Sequence, residues 1–295
     1  MLELPATYRT SKLILAANNK KISMTKQPAR VFSITSGKGG VGKTHVTVNL
    51  GVAISKLGHK VLLLDADMGL ANINILLGFQ PKATIQDVVS GKAKISDIIV
   101  TSSFGVDVIP AASGIPELTN LSEEERLALM SSFEELGDRY DYILIDTAAG
   151  IGDNVMYFNV AAEDVLVVID SEPTTLTDAY ALIKVLAQRC GVRQFNIIAN
   201  RTPAGTDGRT TYAQLAAASD KFLRDVSLKY LGSICDDRQV SEAVIAQRPF
   251  IELYPGSKAS INIANLAKKL TSKARSKTPS GGMQFLFQSL LKANN

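Results

Sequence analysis

A chain of 295 residues, 46% of them apolar and none of them tryptophan, is long enough to bury a full α/β core. Its two cysteines, Cys190 and Cys235, make no CxxC pair, which excludes a disulfide scaffold, a zinc knuckle and an iron–sulfur carrier. The net charge of +4 is unevenly spread: residues 1–30 carry +5 and residues 258–295 carry +7, leaving −8 between them. An acidic body is a poor match to a protein coated in DNA, whereas basic ends suit an anionic surface, lipid or nucleic acid, or simply solubility.

The amino terminus, with Glu3, Pro5 and only a short apolar run from Leu13 to Ala17, is not a signal peptide. Nothing approaches the roughly eighteen apolar residues of a membrane span. A cytoplasmic protein is expected. Residues 1–30 read as a basic tail. From Val31 short apolar runs alternate with helical stretches. Strands are expected at Val31–Thr35, Lys60–Leu64, Val106–Ile109, Tyr142–Ile145, Val165–Ile169, Phe195–Ala199 and Tyr230–Ile234. Several are near-continuous β-branched runs, as in strands buried on both faces of a parallel sheet. Helices are expected near 43–57, 122–137, 151–162, 175–190, 210–227, 238–247 and 258–273, with Gly58 and Gly191 as stops. The alternation predicts an α/β fold: a doubly wound, mostly parallel sheet flanked by helices, in one domain over 31–271. Residues 272–282 read as a flexible linker. Beyond it, 283–292 plotted as a helix gathers Met283, Leu286, Phe287, Leu290 and Leu291 into one arc about 140° wide, suited to a lipid interface or to the protein's own core.

The segment Gly37-Lys38-Gly39-Gly40-Val41-Gly42-Lys43-Thr44 fits G-x-x-x-x-G-K-[ST] between an expected strand and an expected helix, the context that motif requires. Glycines let successive backbone N–H groups turn toward phosphate oxygens, and the helix N-terminus adds positive potential. Lys43 is placed to reach the β- and γ-phosphates and the Thr44 hydroxyl to ligate Mg²⁺. Asp65 and Asp67 close the run Leu62-Leu63-Leu64, and Asp146 closes Ile143-Leu144-Ile145. Acids at strand ends often only cap or turn the chain. Beside a phosphate loop they become candidate groups for magnesium and water, with Asp146 in the Walker B position.

With Lys38, the loop takes the Lys-Gly-Gly-Val-Gly-Lys-Thr form and resembles the deviant-Walker, MinD/ParA group of P-loop ATPases over about 31–270. The resemblance implies ATP and Mg²⁺ as ligands, dimerisation driven by ATP, and a Lys38 that crosses to the partner's nucleotide. It makes Asp67 the residue that positions the attacking water and Asp65 its structural, magnesium-shell neighbour. Asn200-Arg201 resembles the group's adenine contact, and Asp236-Asp237 would lie by ribose and base. No guanine-reading Asn/Thr-Lys-x-Asp follows a strand. His45 departs from the threonine common at its position, where the α-phosphate contact falls. A terminal amphipathic helix is also similar to the membrane-targeting helix of MinD-type proteins.

The stretch Ser171-Glu172-Pro173-Thr174-Thr175-Leu176-Thr177-Asp178 and the run from Asp146 to Val155 resemble flagellar number regulators of the FlhG/FleN type. That implies as partners the GTPase FlhF, flagellar switch-ring proteins and a flagellar transcription activator. Peripheral association at the inner face of the cytoplasmic membrane is expected from the terminal helix, and no sequence-specific DNA binding is expected of the acidic body. The Asp-Gln-Ala-x-x-Leu-Arg motif frequent in that type is absent from residues 1–30. MinD-type division-site placement and ParA-type DNA partition remain alternatives on the same chemistry.

Overall fold

The computed structural model describes residues 29–67, 72–110, 136, 139–203 and 205–272. Strand β1 (Arg30–Ser36) leads through the glycine-rich loop into helix α1 (Lys43–Lys56), which returns to β2 (Val61–Ala66). Three short helices follow, α2 (Ile73–Leu76), α3 (Ile85–Val89) and α4 (Ile95–Ile98), then strands β3 (Val100–Thr101) and β4 (Asp107–Ile109). Next come β5 (Tyr142–Ala149), α5 (Asp153–Ala161), β6 (Asp164–Ile169), α6 (Pro173–Cys190), β7 (Gln194–Thr202), α7 (Arg209–Phe222) and β8 (Ser227–Cys235). Helices α8 (Arg238–Ile245), α9 (Phe250–Leu253) and α10 (Lys258–Thr271) complete the described chain.

The eight strands form one sheet in the order β3-β4-β2-β5-β1-β6-β7-β8. Every pairing is parallel except β3 with β4. Alternate residues face opposite layers, because strand side chains alternate sides. Phe32, Ile34 and Leu63 pack with α1, α9 and α10, whereas Val31, Leu62 and Leu64 pack with α3, α4 and α5. Helices α5, α6 and α7 cover Val165, Val167, Ile169, Ile197 and Ala199 on that same second face. With helices on both faces, the central strands bury nearly every residue, which is why they read as unbroken apolar runs. The chain turns back across β1, so the switch point of the sheet lies at the carboxyl end of β1 and β5, where a ligand crevice opens.

All seven expected strands are present, most of them longer than their apolar runs. Apart from Leu136, the helix expected at 122–137 lies outside the described residues, as do the sites at 283–292. Two expectations are corrected. The helix placed at 210–227 ends at Phe222, because Leu223 is extended and Asp225 adopts a left-handed φ of 64°; β8 has already begun at Ser227. Arg30 is not tail but the first residue of β1, 5% exposed and paired with Tyr142.

Candidate nucleotide site

The loop from Gly37 to Thr44 leaves the end of β1 and opens α1, so the first backbone N–H groups of a fourteen-residue helix face the loop's concavity. Gly40 and Gly42 hold φ of 81° and 91°, a region closed to most side chains. At Gly37 the constraint is different. A Cβ there would stand 2.1 Å from the Asp178 carbonyl and 2.5 Å from the Ala179 nitrogen, so the loop lies directly on the backbone of α6.

Lys43 is buried within this cradle, 7% exposed, and burial draws its pKa below the usual lysine range although Asp146 and Asp67 oppose the shift. Asp146 accepts from the Thr47 hydroxyl at 3.1 Å and is hydrogen-bonded by the Thr44 side chain. Thr47 also donates to the Lys43 carbonyl at 3.0 Å. Asp65 and Asp146 are register partners on β2 and β5, 2% and 1% exposed. Burial, then the charge of Asp146, raises Asp65 to about 7; burial likewise raises Asp146 to about 6. Two buried carboxyls side by side with one half-compensating lysine form a site short of positive charge. That is a place fitted to a divalent cation. Among the described residues no group of three His, Cys, Asp or Glu side chains could hold a metal unaided. A cation held here would complete its shell with further oxygens, such as the Thr44 hydroxyl and a bound phosphate.

Asp65 also shapes the loop that follows it. Its carboxylate accepts from the backbone N–H groups of Asp67 (3.2 Å), Asn72 (3.2 Å) and Ile73 (3.3 Å), which closes the turn into α2. Residues 68–71 lie outside the described set. On the other side, the Gly150 N–H donates to the Ser36 carbonyl at 3.0 Å, bringing the exit of β5 onto the phosphate loop.

A cleft beside the loop is lined by Gly42, His45, Asn200, Arg201, Asp236 and Asp237, with Ile234, Val240 and Phe250 as apolar wall. The Asn200 amide donates to the Val41 carbonyl at 2.8 Å, so this side chain ties β7 to the loop. Arg201 stands at a left-handed φ of 50°. Burial, then the nearby Arg201 charge, lowers the pKa of His45. Asp237 caps α8 through the Gln239 N–H (3.0 Å) and reaches the Ala259 N–H (3.3 Å), so its carboxylate joins two helix starts while the residue faces the cleft.

Lys38 reaches the start of α6, where its ammonium pairs with Glu172 at 2.6 Å and donates to the Thr174 hydroxyl at 2.9 Å. This contact holds Glu172 below the usual carboxylate range and raises Lys38. Sequence reasoning gave no role to Glu172, Thr174 or Thr47. For Thr47 the signal was available, since it lies one helical turn beyond Lys43, on the same side of α1.

Fold and site together define a P-loop protein, and the comparisons with known proteins narrow it: residues 29–193 match the family model described as "AAA domain". The chain belongs to the MinD/ParA family of ATPases. Among curated relatives, it is 43% identical to Antiactivator FleN of Pseudomonas aeruginosa over 90% of this chain and 94% of that one. It is 32% identical to Flagellum site-determining protein YlxH of Helicobacter pylori, over 96% and 97% of the two chains. The septum site-determining protein MinD of Pyrococcus horikoshii, solved with Mg-ADP, superposes with a TM-score of 0.65 at 30% identity, covering 83% of this chain and 96% of that one.

Proposed function

We propose that this chain is an ATP-driven dimerising switch, peripherally bound to the inner face of the cytoplasmic membrane, that limits the number and placement of flagella. The observation that carries the reading is the meeting of Lys43, two buried carboxyls and the cleft of Asn200, Arg201 and Asp237 at one end of the sheet, in a chain that aligns with FleN nearly end to end. Its ligands are ATP and Mg²⁺. The backbone of residues 37–44 wraps the phosphates, with Lys43 against the β- and γ-phosphoryl oxygens. Thr44 and Asp146 would hold the cation, with Asp65 behind them, and the cation would draw charge off the phosphates. Asp67 orients the water that attacks the γ-phosphorus, and ADP leaves. Asn200, Arg201 and Asp237 serve the base and ribose, and His45 faces the α-phosphate. Lys38 leaves Glu172 and stabilises the partner's transferring phosphoryl group, as an arginine finger does.

Met283, Leu286, Phe287, Leu290 and Leu291 supply the lipid contact in this reading, which falls outside the described residues. The partners in this reading are those the sequence resemblance implies: an FlhF-type GTPase, the switch ring or a flagellar transcription activator. Removal of the gene from its own cells, with flagella counted by electron microscopy, tests the function. Excess or misplaced flagella, uncorrected by a Lys43→Ala copy, are expected. Normal flagella together with minicells would replace this reading by division-site placement.

A further inference from the structure

Thr47 lies one turn into α1, beyond the phosphate loop, and none of its surface is exposed. Residues three and four apart share a helix face, so Lys43, Thr44 and Thr47 turn toward the same side of α1. What they meet there is Asp146, at the polar end of β5. The Thr47 hydroxyl stands 3.1 Å from its Oδ1, across 99 positions of sequence, and the Thr44 side chain bonds the same carboxylate. The Thr47 hydroxyl is also 3.0 Å from the Lys43 carbonyl.

A threonine inside a helix commonly returns its hydrogen to the carbonyl four residues back, and that bond alone would satisfy it. Here two acceptors, the Lys43 backbone and the Asp146 carboxylate, share the single hydrogen that a hydroxyl can donate. Asp146 is 1% exposed, so solvent has little access to replace a donor removed from it. We propose that Thr47 is a positioning residue: its hydroxyl fixes the Asp146 carboxylate for Mg²⁺ and ties it to the backbone of the lysine that grips the phosphates. The inference rests on the ATP and Mg²⁺ reading given above and adds a residue that touches neither ligand.

A carboxylate turns about its Cβ–Cγ bond unless a fixed donor holds one of its oxygens. Magnesium tolerates little error in the placement of oxygens around it. Groups that orient a metal's ligands are accordingly worth about 10- to 100-fold in metal affinity or activity. The second bond, to the Lys43 carbonyl, anchors the hydroxyl to the first turn of α1. The cation carboxylate and the phosphate lysine are thereby held in one frame. A packing role would make the opposite demand on the side chain. Valine keeps the shape of threonine without the hydroxyl, whereas serine keeps the hydroxyl and leaves a methyl-sized gap. Packing favours valine, and positioning favours serine.

Calorimetry of the full chain with ATP, in EDTA and then with Mg²⁺, tests this together with the Mg²⁺ dependence of phosphate release. Thr47→Val should bind ATP in EDTA as the parent does, yet lose most of the affinity that Mg²⁺ adds. It should also need at least about tenfold more Mg²⁺ for half-maximal hydrolysis. Thr47→Ser should stay within about threefold of the parent in both measurements. Thr47→Ala against Thr47→Ser repeats the comparison without the methyl, so the hydroxyl is read even if the valine variant does not fold. The alanine variant should fail where serine succeeds. A valine variant that matches the parent overturns the proposal, and so does a serine variant as impaired as alanine. If the parent itself gains no ATP affinity from Mg²⁺, the cation reading falls and the proposal with it, a failure told apart from the other two.

Discussion

Asp65, Asp67 and Asp146 are one residue type in three environments, and each has its own expected behaviour. Asp67 stands at the entrance of the turn that Asp65 closes, so Asp67→Ala should leave the cradle intact. Calorimetry should find MgATP affinity within about threefold of the parent, while hydrolysis falls by at least about a hundredfold. Normal turnover would remove Asp67 from the mechanism. Lys43→Ala should instead abolish the heat of MgATP binding. Asp65 and Asp146 have pKa values near 7 and 6 in the fold, both above the ordinary carboxyl range near about 4. The folded chain therefore holds protons that the unfolded chain has released. Nucleotide-free stability must fall as pH rises from about 4 to about 7, and level off above that. Melting curves without nucleotide should show this fall, and Asp65→Asn should flatten it. A melting temperature that rises across the same interval would contradict the burial argument.

Between residues and fold stands the packing of elements, and here the sequence could be read in part. Central strands were legible because burial on both faces leaves an unbroken apolar signal, as in Val165–Ile169. The polar ends of β5 and β7 were not, though they carry Thr147 to Ala149 and Asn200 to Thr202, because a strand that enters a site loses its apolar pattern. Helices α2 to α4 are four or five residues long, too short for a helical period to register. The two-residue β3 is invisible for the same reason. Gly37 was legible as part of a phosphate loop, but not as the point where that loop rests on α6. This gives a contrast between two glycines of one motif. Gly37→Ala meets backbone atoms that cannot rotate aside, and should cost at least about 2 kcal/mol in urea unfolding. Gly39→Ala meets nothing within 4 Å and has no positive φ, so its cost should stay within about 1 kcal/mol. Equal costs would mean that α6 gives way, and that the loop and this helix are not coupled.

The nucleotide cleft sits at one end of the sheet, while buried Arg30, bound to the Leu270 carbonyl and paired with Asp164, sits at the other. In the proposed dimer, Lys38 is where a second copy would enter. Its pair with Glu172 is exposed, with side chains 37% and 60% accessible, so solvent and salt weaken it and a partner's phosphates can compete for the lysine. In the single chain Lys38 serves no group in its own cradle. If it acts across a dimer, each site combines Lys38 from one subunit with Asp67 from the other. Lys38→Ala and Asp67→Ala should then both be inactive alone, yet regain hydrolysis when mixed. Random pairing makes half the dimers mixed, and each of those has one intact site of two, so about a quarter of parental activity should return. A lysine working on its own chain's nucleotide gives a different result, since no subunit in the mixture carries both groups. Mixing the two variants at equal concentration with saturating MgATP, and measuring phosphate release, separates the two arrangements. Recovery near zero, with dimers present by light scattering, would confine Lys38 to its own subunit.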